Sequence, residues 1–231
     1  MRPGESPSRG TGAQWWDEPW PVVVIGGGNA ALVAAISARQ HVDRVLLIER
    51  APLWLRGGNT RHTRNIRCVH DSPDAYVEGS YLYDELLDDL ANVGVGPTDE
   101  KLAALTVRES ETAPAWMAAH GIRWQPQLAG TLHLERTNRF FLGGGKAVVN
   151  SYHREMERLG GVSVVYETTA EAIEMTGDLA TGVVVHTPGG HQRVEASAVI
   201  CASGGFEANL DWLRRYWGDA VDNYVIRGTP Y

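Results

Sequence analysis

The sequence predicts an α/β fold with a central parallel sheet, helices on its faces and a small antiparallel β meander. Three observations carry this. Residues 21–25, 44–48 and 198–202 are short, almost continuous apolar runs, the pattern of strands buried on both faces. A small-residue helical stretch, 29–40, joins the first two runs within about thirty residues, the length of a βαβ unit. Residues 170–175 and 180–187 flank a Gly177-Asp178 turn, as paired antiparallel strands do.

The other elements follow in order. Residues 50–70 read as a polar loop. Residues 72–90 read as a helix with Ser72 at its N-cap and Pro73 in the first turn. Residues 98–120 read as a second helix, capped by Thr98. Gly121 and Gly130 punctuate an irregular segment with short strands. The Gly143-Gly144-Gly145 turn precedes a helix over about 146–159, and 162–166 is a further apolar strand. Pro188-Gly189-Gly190 turns the chain again, and 209–217 is helical. Residues 1–20 are rich in Gly, Pro, Ser and Arg and lack the apolar segment of a signal peptide. They read as a flexible leader, carrying Trp15, Trp16 and Trp20, before a domain over 21–231.

Composition removes several classes of function. A net charge of −7, from 21 basic and 28 acidic residues, argues against a nucleic-acid binder driven by charge. No apolar run has the length of a membrane span. Cys68 and Cys201 are too few for a disulfide scaffold or a multi-cysteine zinc site, and fit a reducing, cytoplasmic setting. The histidines show no metal-ligand spacing, so no metal is expected. Cys68 has no partner motif and reads as inert, and Cys201 as a small core residue of a buried strand. Trp116, Trp212 and Trp217 read as core anchors. Ser80, Ser110 and Ser203 lack the context of a nucleophile elbow.

The chemistry concentrates at the first strand. Gly26-Gly27-Gly28-Asn29-Ala30-Ala31 matches G-x-G-x-x-G/A between a buried strand and a helix. Gly26 permits the tight turn. Gly28 lets the backbone approach a pyrophosphate seated on the helix N-terminus, and Ala31 lets helix and strand pack closely. Glu49, about twenty residues on, ends the second strand, where a carboxylate accepts hydrogen bonds from an adenosine ribose and repels a 2′-phosphate. This favours FAD or NAD over NADP. Two further features lean towards FAD. Arg56-Gly57-Gly58-Asn59-Thr60 offers glycines with an adjacent amide and hydroxyl. Residues 199–206 end a strand in small residues whose backbone can lie against a cofactor.

In order and in residue type, these motifs resemble the FAD-binding domain of the fumarate reductase/succinate dehydrogenase flavoprotein superfamily. The glycine motif, Glu49-Arg50, Gly57-Gly58-Asn59-Thr60, Gly143-Gly144-Gly145 and Ala202-Ser203-Gly204-Gly205-Phe206 carry the resemblance, which runs over 21–231. Within the superfamily, residues 57–65 are most similar to FAD-dependent tricarballylate dehydrogenases. The resemblance implies a Rossmann-like FAD-binding domain in which Gly26, Gly28, Asn29, Ala30, Glu49, Arg50, Gly58, Asn59 and Thr60 contact FAD. Ala170 lies near the adenine by the same resemblance, and Ser203 and Gly204 approach the flavin side. The succinate dehydrogenase branch carries a covalent flavin on a His at the position of Asn59, so FAD is expected here without a covalent link, with His62 as the one nearby alternative.

The resemblance also implies a reaction. A di- or tricarboxylate lies with a C–C bond over the flavin, a base takes a proton and the ring takes hydride. Arg61, His62 and Arg64, in a basic cluster with Arg67 and His70, are the substrate-facing candidates, because guanidinium forks bind carboxylates. The alternative is a solvated basic loop that pairs with Asp71 or Asp74. The family places a capping domain after residues 227–231, so a truncated flavoprotein lacking its catalytic Arg is expected, with an apolar face left open. Its catalytic acid and base, and its electron acceptor, are unassigned. Competing readings are a ketosteroid dehydrogenase or precorrin-type oxygenase of the same superfamily, a non-catalytic dinucleotide-binding remnant, and an NAD enzyme.

Overall fold

The computed structural model describes residues 14–94, 98–126, 134–224 and 228–231. In chain order the elements begin with β1 (Val22–Ile25), α1 (Asn29–Arg39), β2 (Val45–Ile48) and β3 (Asn65–Arg67). Then come α2 (Tyr83–Val93), α3 (Glu100–Ser110), α4 (Ala113–Ala119), β4 (Asn138–Phe140) and α5 (Gly144–Leu159). The chain continues with β5 (Val162–Val165), β6 (Thr169–Thr176), β7 (Leu179–Thr187), β8 (Gly190–Glu195), β9 (Val199–Cys201) and α6 (Leu210–Trp217). Two compact units divide these elements. The first takes Met1–Arg56, Leu159–Gly205 and Tyr231, and the second Gly57–Arg158 and Phe206–Pro230.

The first unit is the parallel sheet that the apolar runs predict. Its strand order is β5-β2-β1-β9, with every neighbouring pair parallel. Helix α1 returns the chain from β1 to β2. It buries Ala31, Leu32, Ala35 and Ile36 completely, one stripe at helical spacing. Each of its two large side chains contributes roughly 1.5–3 kcal/mol by leaving water. Arg39, in the last turn, donates to the Gly160 carbonyl at 2.8 Å and to that of Val42 at 2.9 Å, tying the helix end to the turn before β5. The meander is three-stranded, β6-β7-β8. Strand β8 lies beyond the predicted pair, because among its polar residues only Val194 faces the core.

Two expectations for this unit are corrected. The leader does not stay loose to residue 20: Trp20 is 5% exposed and sits in a core cluster with Val23, Leu46 and Val185, with Trp15 and Trp16 packed against it. Its indole donates to the Trp15 carbonyl at 2.7 Å, and its backbone pairs with Ala196. Three tryptophans in six residues supply more apolar area than a solvated tail can carry. Residues 1–13 lie outside the described residues. Cys201 is the second correction. It is exposed, because β9 is an edge strand of this four-stranded sheet and its last residue faces outward.

In the second unit β3 and β4 pair antiparallel beside the helices. The helix expected over 72–90 begins only at Tyr83. Upstream, the Asp74 carboxylate accepts from the backbone of Tyr76 at 2.7 Å and Val77 at 3.1 Å, an Asx turn that competes with helix. The Tyr81 backbone then pairs with His70 in both directions, at 2.8 and 2.9 Å. The helix expected over 98–120 is broken into α3 and α4 at Glu111 and Thr112, just ahead of Pro114, and Asp99 rather than Thr98 caps it, accepting from Leu102 N–H at 2.9 Å. Helix α5 begins at Gly144, two residues ahead of the expected start at about 146, so that Gly144 and Gly145 lie inside the helix rather than before it. Trp212 and Trp217 are not core anchors: they are 49% and 53% exposed. In the same segment Phe206 lies 5.6 Å from both Trp212 and Tyr216, so these rings cluster on a surface. Gly130 falls outside the described residues.

The cysteines give a direct check. Cys68 is buried, and burial pushes its thiol up to about 12 against the lowering influence of Arg139. We expect a thiol reagent at pH 8 to modify one cysteine rapidly in the native chain and both after denaturation. The rapid phase should survive Cys68→Ala and vanish in Cys201→Ala. Two equally fast native thiols would contradict this placement.

Candidate functional site: a dinucleotide cradle

In the first unit, the site grows from the carboxyl ends of three neighbouring strands. Strand β1 runs into Gly26, whose N–H donates to the Ile48 carbonyl at 2.8 Å. Gly26 has φ +116°, and a Cβ there would lie 2.8 Å from the Ala202 carbonyl carbon and closer still to its oxygen. Only glycine combines that backbone with that crowding. At Gly27 a Cβ would collide with the Glu49 carboxylate, a constraint that the G-x-G spacing does not reveal. Gly28 stands at the N-cap of α1 in extended geometry, and neither a side-chain cap nor an acidic first-turn residue occupies this helix end. Asn29 and Ala30 are exposed and Ala31 is fully buried. The result is an open helix N-terminus of partial positive charge with a tight glycine turn below it, which suits a pyrophosphate.

Glu49 closes the same edge from β2. It is 7% exposed, and its Oε1 accepts from Ala51 N–H at 2.8 Å. Its backbone carbonyl accepts from Thr168 N–H at 3.1 Å, two residues before the half-buried Ala170. Arg50 is exposed beside it. Strand β9 ends next to β1, with Ala202 N–H donating to the Ile25 carbonyl at 2.9 Å. Ser203 and Gly204 follow, both exposed, with Gly204 at φ +78°. The structure therefore brings Gly26, Gly28, Glu49 and Ser203 to one strand-end edge, where open α/β sheets hold their ligands. Arg56, which opens the Arg56-to-Thr60 motif, donates to the Tyr166 hydroxyl at 3.2 Å in this unit, a pairing that the motif does not reveal.

The second unit holds the Gly57-to-Thr60 motif. Gly57 is at φ +105°, and a Cβ there would lie 2.7 Å from a Val149 methyl group. Gly58–His62 forms a 3-10 turn rather than an open loop. Helix α5 packs onto this turn: a Cβ at Gly145 would lie 2.9 Å from the Thr60 carbonyl carbon, and Gly145 N–H donates to the Thr63 carbonyl at 2.8 Å. The third glycine of residues 143–145 thus serves close backbone packing. Asn59 is exposed, and its Oδ1 accepts from Thr229 N–H at 3.0 Å. Thr60 and Arg61 are half-buried, while His62 and Arg64 are exposed.

Two ion pairs involve the basic cluster and its acidic neighbours. Arg67 reaches Asp89 on α2 at 2.8 Å. Asp89 also accepts from the Tyr81 hydroxyl at 2.6 Å, and burial together with that bond pushes Tyr81 up to about 12. Asp74 pairs with Arg139 of β4 at 2.9 Å. No group of three or more metal-ligating side chains occurs among the described residues.

The first unit by itself defines a dinucleotide-binding α/β domain. The sequence model of the FAD binding domain family matches residues 21–228, and the chain belongs to that family. Its cofactor is FAD, and the uncapped α1 N-terminus, the glycine turn and the Glu49 carboxylate fit that group. The chain is 28% identical over 221 residues to the NADH:fumarate oxidoreductase of Klebsiella pneumoniae (strain 342), covering 89% of this chain and 22% of that protein. It is 26% identical over 218 residues to the vinyl phenol reductase of Lactiplantibacillus plantarum, covering 86% and 40%. Among solved structures, the open conformation of a flavocytochrome c3 fumarate reductase matches with a TM-score of 0.72 at 20% identity, over 89% of this chain and 37% of that one. A 3-ketosteroid-delta4-(5alpha)-dehydrogenase from Rhodococcus jostii RHA1 matches at 0.67 and 20%, over 87% and 49%. These structural likenesses show the fold. The chain spans less than half the length of these relatives.

Proposed function

We propose that this chain is the FAD-holding part of an oxidoreductase that acts on a carbon–carbon bond of a small carboxylic acid. The observation that carries it is the open N-terminus of α1 with the buried Glu49 beside its glycine turn. Bound FAD supplies hydride transfer, and the chain supplies position and charge. The α1 N–H groups hold the pyrophosphate, Glu49 accepts from the ribose, and Ala170 borders the adenine. Gly58, Asn59 and Thr60, with Ser203 and Gly204, approach the ring, and Asn59 in place of a histidine leaves FAD without a covalent link. Arg61 and Arg64 offer guanidinium groups, and His62 an imidazole, to substrate carboxylates. Fumarate and urocanate, in the names of relatives, are unsaturated carboxylates. Residues 57–65 point more narrowly to tricarballylate. The ketosteroid dehydrogenase likeness favours a second reading with an apolar substrate, against which the Arg61-to-Arg64 cations speak. The two free cysteines fit a cytoplasmic setting.

Titration of FAD into the chain tests this. Glu49→Gln is expected to weaken FAD by roughly 10–100-fold, the loss of charge-assisted bonds to a ribose. Arg61→Ala with Arg64→Ala should leave FAD affinity unchanged and abolish the flavin spectral shift caused by tricarballylate or fumarate. A shift that persists in the doubly substituted chain would sink the carboxylate assignment.

A further inference from the structure

Within the second unit, α4, the segment after it and α5 enclose a cleft of about 720 Å³. That is the size of a small-molecule site. None of its lining residues belongs to the FAD set. Its floor is made by Ile122 and Val148, which are buried, and by Ser151; Leu142 stands exposed at its rim. Arg123 and Arg154 complete the wall, and among the described residues none that lines it is acidic.

These two arginines differ from many others in the unit. Arg67, Arg136, Arg139, Arg158 and Arg214 each meet a carboxylate. Among the described residues neither Arg123 nor Arg154 does so. Arg154 donates to a neutral partner, Ser151 Oγ, at 2.9 Å, and meets no carboxylate among the described residues. The adjacent Glu155 is taken by Arg158 through two bonds of 2.7 Å. The C-terminal end of α4 does not oppose an anion here. Its Trp116, Met117 and Ala118 carbonyls accept from the N–H groups of His120, Ile122 and Gly121 at 3.0–3.2 Å. Residues 147, 151 and 154 follow the i, i+4, i+7 spacing of one helix face, so the cleft surface of α5 joins an apolar half to a cationic one.

From this we propose that the cleft binds a small organic monoanion: a carboxylate on a short apolar body. The Arg123 and Arg154 guanidinium groups take the carboxylate, with Ser151 holding Arg154 in place. Ile122, Leu142 and Val148 cover the body. Two positive charges in a chain of net charge −7 give the cleft a sign opposite to that of the molecule, which selects for anions.

Octanoate is the probe, with octylamine and inorganic phosphate as controls, followed by calorimetry on the full chain with and without FAD. One octanoate per chain is expected, weakened about tenfold by Arg123→Met or by Arg154→Met and further by both. Octylamine should not bind, and phosphate should bind more weakly than octanoate. Both arginines are exposed, so unchanged melting temperatures are expected to show that the variants fold. No octanoate binding, equal binding of octylamine or phosphate, or undiminished octanoate binding in the double variant would each overturn the proposal. The measurement on the FAD-free chain is independent of the flavin assignment, so the two can fail separately.

Discussion

Gly26→Ala is expected to abolish FAD binding and to lower the melting temperature by roughly 6–12 °C. The backbone at Gly26, φ +116°, is one that alanine rarely adopts, and the added methyl group would be forced into the Ala202 carbonyl. Strain plus overpacking of this kind costs about 3 kcal/mol, and each kcal/mol moves a domain of this size by roughly 2–4 °C. Neither neighbour can yield cheaply. Gly26 N–H is tied to β2 through Ile48, and Ala202 N–H is tied to β1 through Ile25. Moving either one displaces the α1 N-terminus from the Glu49 edge, which is why binding is lost along with stability. Gly177→Ala separates the two causes. It has φ +60° but open space where its Cβ would fall, so it should cost only about 1 kcal/mol and leave FAD affinity intact. Equal losses in the two variants would show that crowding at the cradle has no part in binding.

The second large effect belongs to Asp74 and Arg139. Arg139 is 8% exposed, pairs with Asp74 at 2.9 Å, and lies 5.8 Å from the ring centres of both Tyr76 and Trp124. Asp74→Ala would leave that guanidinium without its carboxylate, a loss of about 1–3 kcal/mol, below the cost for a fully buried pair because the Asp74 side chain is itself partly exposed. It would also remove the acceptor of the Tyr76 and Val77 N–H groups. Asp74→Ala combined with Arg139→Met should recover part of the loss, because the methionine needs no counter-charge. The pH dependence has a definite sign. Burial raises the Asp74 carboxyl, but its backbone bond to Tyr76 and its bond and attraction to Arg139 outweigh that and hold it below the ordinary value. A depressed carboxyl contributes stability that is full above its unfolded value, near 4, and is lost as pH falls through the folded one. Acid unfolding below about pH 4 should therefore be shallower in Asp74→Asn than in the parent chain. An unchanged acid limb, with an unchanged melting temperature at neutral pH, would contradict the pairing.

The legible parts of this chain are those in which one residue type has one physical use. Continuous apolar runs gave β1, β2, β5 and β9 within a residue or two: β1 and β2 are the buried central strands, and the edge strands β5 and β9 keep the apolar pattern although they are only partly buried. The glycine motif gave the cradle, because a close backbone turn accepts no Cβ. The helix boundaries expected at 72 and 98 are not legible locally, because Ser72, Pro73 and Thr98 are plausible caps in any helix. The actual turn depends on Asp74 and on an isolated backbone pairing of Tyr81 with His70 that no local pattern reveals. The exposure of Cys201, Trp212 and Trp217 is not legible in the sequence, because composition does not say whether a strand lies at a sheet edge or which face of a short helix has a neighbour. The reason for Gly145 was equally hidden: its contact with Thr60 spans a long sequence separation. The same holds for the pairing of Asn59 with Thr229.

The central claim, that this chain holds FAD without a covalent bond, is tested most directly by the visible absorbance of the purified chain reconstituted with FAD and desalted, recorded before and after acid precipitation. The account predicts flavin bands that co-elute with the chain and pass wholly into the acid supernatant. Bands that remain in the pellet would contradict the non-covalent link and direct attention to His62. A colourless desalted chain would contradict the claim that this chain holds FAD.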